Sequence, residues 1–303
     1  MFEKEVKVMT CSRDLSGMAE LFPNIEYAAP QGVSLTLDLL CPWQKNRRYP
    51  LVVFVQGSAW TTPNTGYEMP QLGALAQQGF VVATVGHRDC RKGNPFPAYL
   101  QDVKTAIRFL RAHADEFCID KERVGIWGTS SGGNTALLVG MTGDWDCYRT
   151  EDYPEESDRV KLVVECFGPT DLRELIQVRM GIDIEQLEHF DPAEVSSESA
   201  QLAANAELAG LICDETGKIS PEKVWQMSPL MLAEPDREYP PFLLLHGDAD
   251  PVVPYHQTEK LFEKLRGFGY DAEMVRVAGG VHEDIFWTPE LVEYVWKYLK
   301  ERL

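Results

Sequence analysis

The sequence lacks the features that mark several common protein classes. No run of about 18 apolar residues occurs, so no transmembrane helix and no membrane partner are expected. The first residues, Met-Phe-Glu-Lys-Glu-Val-Lys, lack the apolar stretch of a signal peptide. No internal repeat or low-complexity block interrupts the 303 residues, of which 44% are hydrophobic. We therefore expect an ordinary globular protein with a sizeable core.

Paired cysteines and an excess of basic charge are also missing. The seven cysteines form no C-x-x-C motif and leave one over, which argues against a disulfide framework and a zinc site. Their pattern favours a reducing compartment, and we expect a cytoplasmic protein. With 29 basic and 47 acidic residues the net charge is −18, so the surface should repel a phosphate backbone. We expect no nucleic-acid partner, and the oligomeric state is left open.

Strand-like and helix-like segments alternate along the chain. The pattern predicts strands at Val33–Leu40, Leu51–Val55, Phe80–Val85, Val124–Trp127, Leu162–Phe167, Phe242–Leu245 and Glu273–Val277. It predicts helices at Met69–Gln78, Tyr99–Ala114, Asn134–Met141, Gln257–Phe268 and Pro289–Arg302. This order is typical of the α/β class, with a mainly parallel central sheet and helices on both faces. In such sheets reactive residues collect at the carboxyl ends of the strands.

One long segment breaks this alternation. Between Asp171 and Pro240 no convincing strand occurs, only helix-prone stretches such as Leu172–Met180 and Ser199–Leu211. Roughly seventy residues are too many for an ordinary connection. We interpret residues 172–240 as a helical cap inserted over the strand ends of a single domain that spans residues 1–303. An irregular excursion packed elsewhere on the surface is the alternative.

A short glycine-rich motif suggests a nucleophile. Positions 127–133 read Trp-Gly-Thr-Ser-Ser-Gly-Gly, which places Gly128, Ser130 and Gly132 in the spacing G-x-S-x-G. A predicted strand precedes the motif and a predicted helix follows it, the context in which such a serine is held exposed on a strained turn. We interpret Ser130 as a nucleophile. The alternative is a glycine-rich turn with an incidental serine.

A nucleophilic serine needs a base and a third group that orients the base. His282 lies in a glycine-rich loop between the last predicted strand and the last helix, from which its imidazole can reach back over the sheet. We predict it as the base, whereas His246 is expected to serve a local turn. Asp250 is favoured over Asp248 as the orienting acid, because it fits the chain order Ser, Asp, His.

The intermediate of acyl transfer carries an oxyanion that needs fixed hydrogen-bond donors. We predict three backbone amides for this role. One is that of Ser131, directly after the nucleophile, and the others are those of Ser58 and Ala59 in the loop after the strand Leu51–Val55. A plain turn at Gly57 is the alternative.

Together these residues resemble the α/β-hydrolase fold, and more narrowly its esterase/lipase branch related to hormone-sensitive lipase and to small carbohydrate acetyl and feruloyl esterases. Residues 54–60 look like that branch's H-G-G-G-W oxyanion loop. Residues 119–133 match its D-x-x-R-[IV]-x-[VIL]-x-G-x-S-x-G-G pattern, and residues 167–172 resemble a G-P-T-D-L strand end. Gln56 replaces the usual histidine, Ser58 and Ala59 replace glycines, and Thr129 stands where larger residues are common.

The resemblance implies a serine carboxylesterase that needs no cofactor and no metal. Its expected substrates are small carboxylic esters, acetyl or aryl and feruloyl, including esters of carbohydrates. Trp60 and Trp287 lie near the expected cleft and are candidates for an aromatic substrate-binding wall, although such residues more often belong to the core.

Two other functions remain open at this point. A serine peptidase of the prolyl oligopeptidase type would keep the same triad. Such enzymes usually carry a propeller, for which 303 residues leave no room. A non-catalytic binding protein with the hydrolase fold would generally have lost members of the triad.

Overall fold

The computed structural model describes residues 7–180, 210–213 and 220–303. In this part of the chain the strands are β1 Ala19–Ala28, β2 Leu35–Pro42, β3 Tyr49–Val55, β4 Val81–Val85, β5 Ile119–Thr129, β6 Leu162–Cys166, β7 Phe242–Gly247 and β8 Ala272–Val277. The α-helices are α1 Met69–Gln77, α2 Ala98–Ala112, α3 Ser131–Met141, α4 Leu172–Met180, α5 Pro221–Gln226, α6 Pro229–Leu232, α7 Tyr255–Gly267 and α8 Pro289–Arg302. None of the helices described is long and apolar enough to cross a membrane.

All eight strands join one sheet in the order β1-β2-β4-β3-β5-β6-β7-β8. The six strands from β4 to β8 in this order pair in parallel, and β2 runs antiparallel to both of its neighbours. The predicted α/β class with a mainly parallel sheet is therefore confirmed. Because the parallel strands point the same way, the loops after β3, β5, β6, β7 and β8 meet at one edge of the sheet.

The central strands are apolar throughout because both of their faces are covered. Every residue of β3 is buried. Val53 and Val55 face a core covered by α2, α3 and α7, whereas Val52 and Phe54 face a second core covered by α1 and α8. Strands buried on both faces have continuous apolar sequences, so apolar and polar residues do not alternate along them.

The sequence pattern missed the edge strand β1. Its sequence contains Pro23 and Asn24, and its pairing with β2 shifts register between Phe22 and Ile25. Proline is tolerated at such an irregular edge because one side of the strand makes no ladder hydrogen bonds. Most residues of β1 are half-buried or exposed, so the strand carries no strong apolar pattern.

About half of the predicted cap, residues 181–209 and 214–219, falls outside the described residues. Most of the predicted helix Ser199–Leu211 lies there as well, so the insertion remains a prediction. The described ends of this segment pack near the start of α3. The amide of Leu172 donates to Ser228 Oγ at 3.0 Å, and Asn134 Nδ2 donates to the carbonyl of Met227 at 2.9 Å.

Candidate active site

Ser130 occupies a strained turn between β5 and α3. Its backbone has φ 51° and ψ −123°, a conformation that non-glycine residues adopt only when their surroundings enforce it. A Cβ on Gly128 would lie 2.0 Å from the carbonyl oxygen of Gly132, and a Cβ on Gly132 would lie 2.0 Å from that of Val55. Glycine is therefore required on both sides, and the turn presents Ser130 at the carboxyl edge of the sheet.

The predicted base and acid reach this serine from neighbouring loops. His282 Nε2 lies 2.9 Å from Ser130 Oγ, and His282 Nδ1 lies 2.7 Å from Asp250 Oδ2. Because a carboxylate only accepts, Nδ1 carries the hydrogen and the lone pair of Nε2 faces the hydroxyl. The structure thus brings the three predicted residues into one hydrogen-bonded chain, although they come from three separate loops.

Asp250 is held as a carboxylate. Its Oδ1 accepts the amides of Val252 at 2.7 Å and Val253 at 3.0 Å. Burial opposes ionisation, but the hydrogen bonds from His246, His282 and Val253 outweigh it and hold the pKa of Asp250 well below its usual range.

Asp248, the competing acid, points elsewhere. Its carboxylate accepts from Arg276 Nε and from the amide of Gly279, both at 2.7 Å. These contacts fix the loop after β8 and leave Asp248 without a hydrogen bond to His282 in the described structure. The geometry therefore favours Asp250 for the position next to the imidazole.

His246 does more than the predicted turn role. Its side chain is fully buried, with Nε2 3.2 Å from Asp250 Oδ2 and 3.0 Å from the carbonyl of Val253. Two acceptors face Nε2, so this nitrogen carries the hydrogen, and the Thr258 hydroxyl at 2.6 Å donates to Nδ1. Asp250 Oδ2 thus faces two histidines. The sequence signal for this contact is a histidine at the end of a buried strand, four residues before an aspartate.

The three predicted oxyanion donors differ in their hydrogen bonds. The amide of Ser58 donates to Ser131 Oγ at 2.9 Å, so its hydrogen is already engaged. Among the described residues the amide of Ala59 finds no acceptor, and Ala59 itself has φ 51°. Ser131 is the first residue of α3, where an amide has no intrahelical acceptor. The amides of Ala59 and Ser131 therefore have no acceptor in the described structure, and that of Ser131 directly follows the nucleophile.

The two predicted aromatic wall residues differ in their surroundings. Trp60 is only 4% exposed and packs against Tyr99, so it belongs to the core and not to an open wall. Trp287 is half-buried, with its ring centroid 6.1 Å from that of Phe167. Phe167 in turn lies edge-on to His282 at 4.8 Å. Trp287 therefore remains beside the site, one aromatic ring away from the imidazole.

Glu283, which follows His282, was not found from the sequence. Its backbone has φ 65° and ψ −155°, a region rarely adopted by non-glycine residues. Its Oε2 accepts from the Tyr67 hydroxyl and, at 3.1 Å, from Trp287 Nε1. Burial and the charge of Glu283 raise the pKa of Glu68 to about 8. Tyr67 and Glu283 are 216 positions apart, so no local pattern could have joined them.

A second unrecognised acid lies beneath the nucleophile turn. Glu165 in β6 is fully buried, and its Oε1 accepts the amide of Gly168. Its Oε2 has no hydrogen-bond partner within the described structure. Burial raises the pKa of Glu165 to about 8. In the described part of the chain no group of three His, Cys, Asp or Glu side chains is arranged to hold a metal ion.

Comparisons with known proteins agree with this geometry. The BD-FAE family model matches residues 37–265, well over half of the chain. Esterase LipC of Mycobacterium tuberculosis is 30% identical over 76% of this chain and 52% of its own length, so the chain spans about half of that relative. Among solved structures, a truncated carbohydrate esterase from gut microbiota is 27% identical, covers 96% of this chain and 98% of its own, and has a TM-score of 0.72.

A bifunctional GH43-CE protein of Bacteroides eggerthii is 28% identical, covers 93% of this chain and 35% of its own, and has a TM-score of 0.73. The resemblance drawn from the motifs is confirmed by these matches. The chain therefore belongs to the BD-FAE family and has the α/β-hydrolase fold.

Proposed function

We propose that the protein is a serine carboxylesterase that hydrolyses small carboxylic esters through an acyl-enzyme on Ser130. The observation that carries this proposal is the hydrogen-bonded chain from Ser130 Oγ through His282 to Asp250. The names of the similar proteins, an esterase and carbohydrate esterases, support ester hydrolysis over peptide hydrolysis.

In this mechanism His282 transfers one proton in each half of the reaction. Ser130 Oγ attacks the acyl carbon while His282 Nε2 takes the hydroxyl proton. The bond to the leaving alcohol then breaks, and His282 gives that proton to the alcohol oxygen. Water then attacks the acyl-enzyme while His282 Nε2 takes one of its protons, and His282 gives this proton to Ser130 Oγ as the acid leaves. Asp250 holds the Nδ1 hydrogen and stabilises the imidazolium.

The oxyanion of both intermediates needs donors that are already in place. We assign this role to the amides of Ala59 and Ser131. Each such donor is worth about 3–4 kcal/mol in the transition state. Ser131 also begins α3, and the amino-terminal end of a helix favours negative charge.

The proposed substrates are neutral acetyl and aryl esters, including feruloyl esters and esters of carbohydrates. Two similar solved structures are named carbohydrate esterase and GH43-CE, which supports the carbohydrate part of the proposal. Glu283 lies next to His282 in the chain, and the net charge is −18. Negative charge beside the site disfavours substrates that carry a carboxylate. Trp287 is the aromatic candidate for contact with the alcohol or acyl group.

The decisive test replaces the nucleophile. Ser130→Ala should lower turnover of p-nitrophenyl acetate by about 10⁶, with the far-ultraviolet circular dichroism of the wild type. Ser34→Ala, at an exposed serine, is the matched control and should keep full activity. Acetylated sugars, feruloyl esters and peptide anilides then separate the esterase from a peptidase. A folded Ser130→Ala variant with a tenth of wild-type activity would exclude the proposed role.

We also propose a reducing, cytoplasmic location. Five cysteines, at positions 11, 41, 118, 147 and 166, are free thiols in the described part of the chain. Free cysteines in this number are typical of reducing compartments. Expression with a reporter of compartment redox state, followed by thiol counting, would test the proposal.

A further inference from the structure

The hydroxyls on either side of Ser130 are both bonded to the loop after β3. The amide of Gly57 donates to Thr129 Oγ1, and that of Ser58 donates to Ser131 Oγ, each at 2.9 Å. Thr129 is 0% and Ser131 2% exposed, so water does not compete for these acceptors. The turn that carries the nucleophile therefore holds, through its own side chains, the loop that faces the nucleophile.

The loop after β3 approaches the nucleophile turn most closely at Gly57. A Cβ on Gly57 would lie 2.6 Å from Ser130 Cβ and 2.8 Å from the carbonyl oxygen of Thr129. At such an approach a shift of the loop directly changes the space in front of Ser130. The two hydrogen bonds thus hold backbone that lies close to Ser130 Cβ, the atom that carries the nucleophilic Oγ.

Beyond Ser58 the loop makes a turn with positive φ at both central residues, 51° at Ala59 and 58° at Trp60. This conformation is unfavourable for non-glycine residues, so neighbouring contacts must stabilise it. The amide of Thr61 donates to the carbonyl of Ser58 at 3.0 Å, and Ser58 Oγ donates to the carbonyl of Thr61 at 2.8 Å. These bonds close the turn, and the Ser58 amide anchors it to Ser131.

We propose that Thr129 and Ser131 are positioning residues that clamp this loop, and that the loop amide directed at the oxyanion is that of Ala59 and not that of Ser58. A backbone amide has a single hydrogen, and that of Ser58 points at Ser131 Oγ. The free amide of Ala59 follows immediately in the clamped turn. The inference rests on the proposed function, because an oxyanion forms only if Ser130 attacks an ester.

Thr129→Val and Ser131→Ala each remove one acceptor with little change in shape. We expect kcat for p-nitrophenyl acetate to fall roughly tenfold to a hundredfold in each variant, with KM changed less than about threefold. The reason is that the oxyanion exists in the transition state and not in the bound ester, and that small misplacements near the reacting atoms are costly. Affinity for a boronic acid analogue should fall in parallel with kcat/KM. Thr129→Ser keeps the hydroxyl and should restore most of the activity.

Thr142→Val is the matched control. Thr142 is also fully buried, lies at the other end of α3, and donates its hydroxyl to the carbonyl of Leu138 at 2.6 Å. Its loss should lower the melting temperature without changing kcat. If Thr129→Val and Ser131→Ala lost only stability, as this control does, the clamp would be excluded. If Ser131→Ala raised kcat, its hydroxyl would be a competitor for the Ser58 amide, and the assignment of Ala59 would be wrong.

Failure of this inference is distinguishable from failure of the proposed function. A fluorophosphonate probe should label the wild type and not Ser130→Ala. A labelled, active wild type whose clamp variants keep kcat would overturn the clamp alone. A wild type that is neither labelled nor active on any ester in the panel would overturn both.

Discussion

Glu165 should make the stability of the protein depend on pH in a way that a single amide substitution removes. It is fully buried in β6, and burial raises its pKa from the ordinary 4.5 to about 8. At neutral pH the folded protein therefore keeps this acid protonated, whereas the unfolded chain ionises it. Because the folded pKa is the higher one, the contribution to stability is complete below pH 4.5. It is lost progressively as the pH rises towards 8.

The size of the effect follows from the two pKa values. Each pH unit between them costs about 1.4 kcal/mol, so roughly 3 kcal/mol is lost at pH 7 and about 5 kcal/mol above pH 8. Glu165→Gln cannot ionise and avoids this loss. Its amide oxygen can still accept the amide of Gly168, as Glu165 Oε1 does. The variant should thus be more stable than the wild type at pH 7, with a difference that vanishes towards pH 4.5, apart from a constant offset.

Urea unfolding of both proteins between pH 4.5 and 9 measures this difference. Glu122→Gln is the matched control, because Glu122 is exposed in the folded protein and should give a small difference that does not vary with pH. The diagnostic quantity is the slope of the difference in unfolding free energy against pH. A packing defect in the variant would change this difference by the same amount at every pH and leave the slope at zero. Parallel curves for Glu165→Gln and the wild type would refute the reasoning.

Two further predictions concern the acid of the site. Asp250→Asn should lower kcat by about 10⁴, because the amide favours the wrong imidazole tautomer. Asp248→Asn should leave initial rates on p-nitrophenyl acetate nearly unchanged, and a larger loss in Asp248→Asn would reverse the assignment. His246→Leu removes a hydrogen-bond donor that holds Asp250 Oδ2 in place and should lower kcat about tenfold, because the carboxylate then orients the imidazole less precisely. His246→Gln keeps a donor and should lie close to the wild type in a profile measured from pH 5 to 9.

The parts of the molecule that could be predicted are those with a local signature. The parallel sheet followed from apolar runs such as Leu51–Val55, which only a strand covered on both faces explains. The turn at Ser130 followed from the glycines that its geometry requires. His282 and Asp250 followed from their places after the last two strands, because chain order and the parallel sheet together bring those loops to one edge.

The parts that could not be predicted depend on contacts between distant residues. The motif identifies the loop that faces the nucleophile. It does not reveal which amide is free, because the Ser131 hydroxyl, 73 positions away, engages the amide of Ser58. Glu165 was hidden inside an apolar run, although a lone acid in a buried strand is itself unusual. The edge strand β1 is irregular and half-exposed, so it offered neither alternation nor an apolar run.

The double hydrogen bond to Glu283 has a consequence for how this protein can change over evolution or in the hands of an engineer. One carboxylate oxygen joins Tyr67, at the end of the loop that leads into α1, to Trp287, in the loop that carries His282. A graft, insertion or deletion in either loop would break the anchor of the other. New substrate preference should therefore be sought by exchanging residues 56–68 and 278–288 as a pair, since a chimera with only one foreign loop would inherit a misaligned histidine.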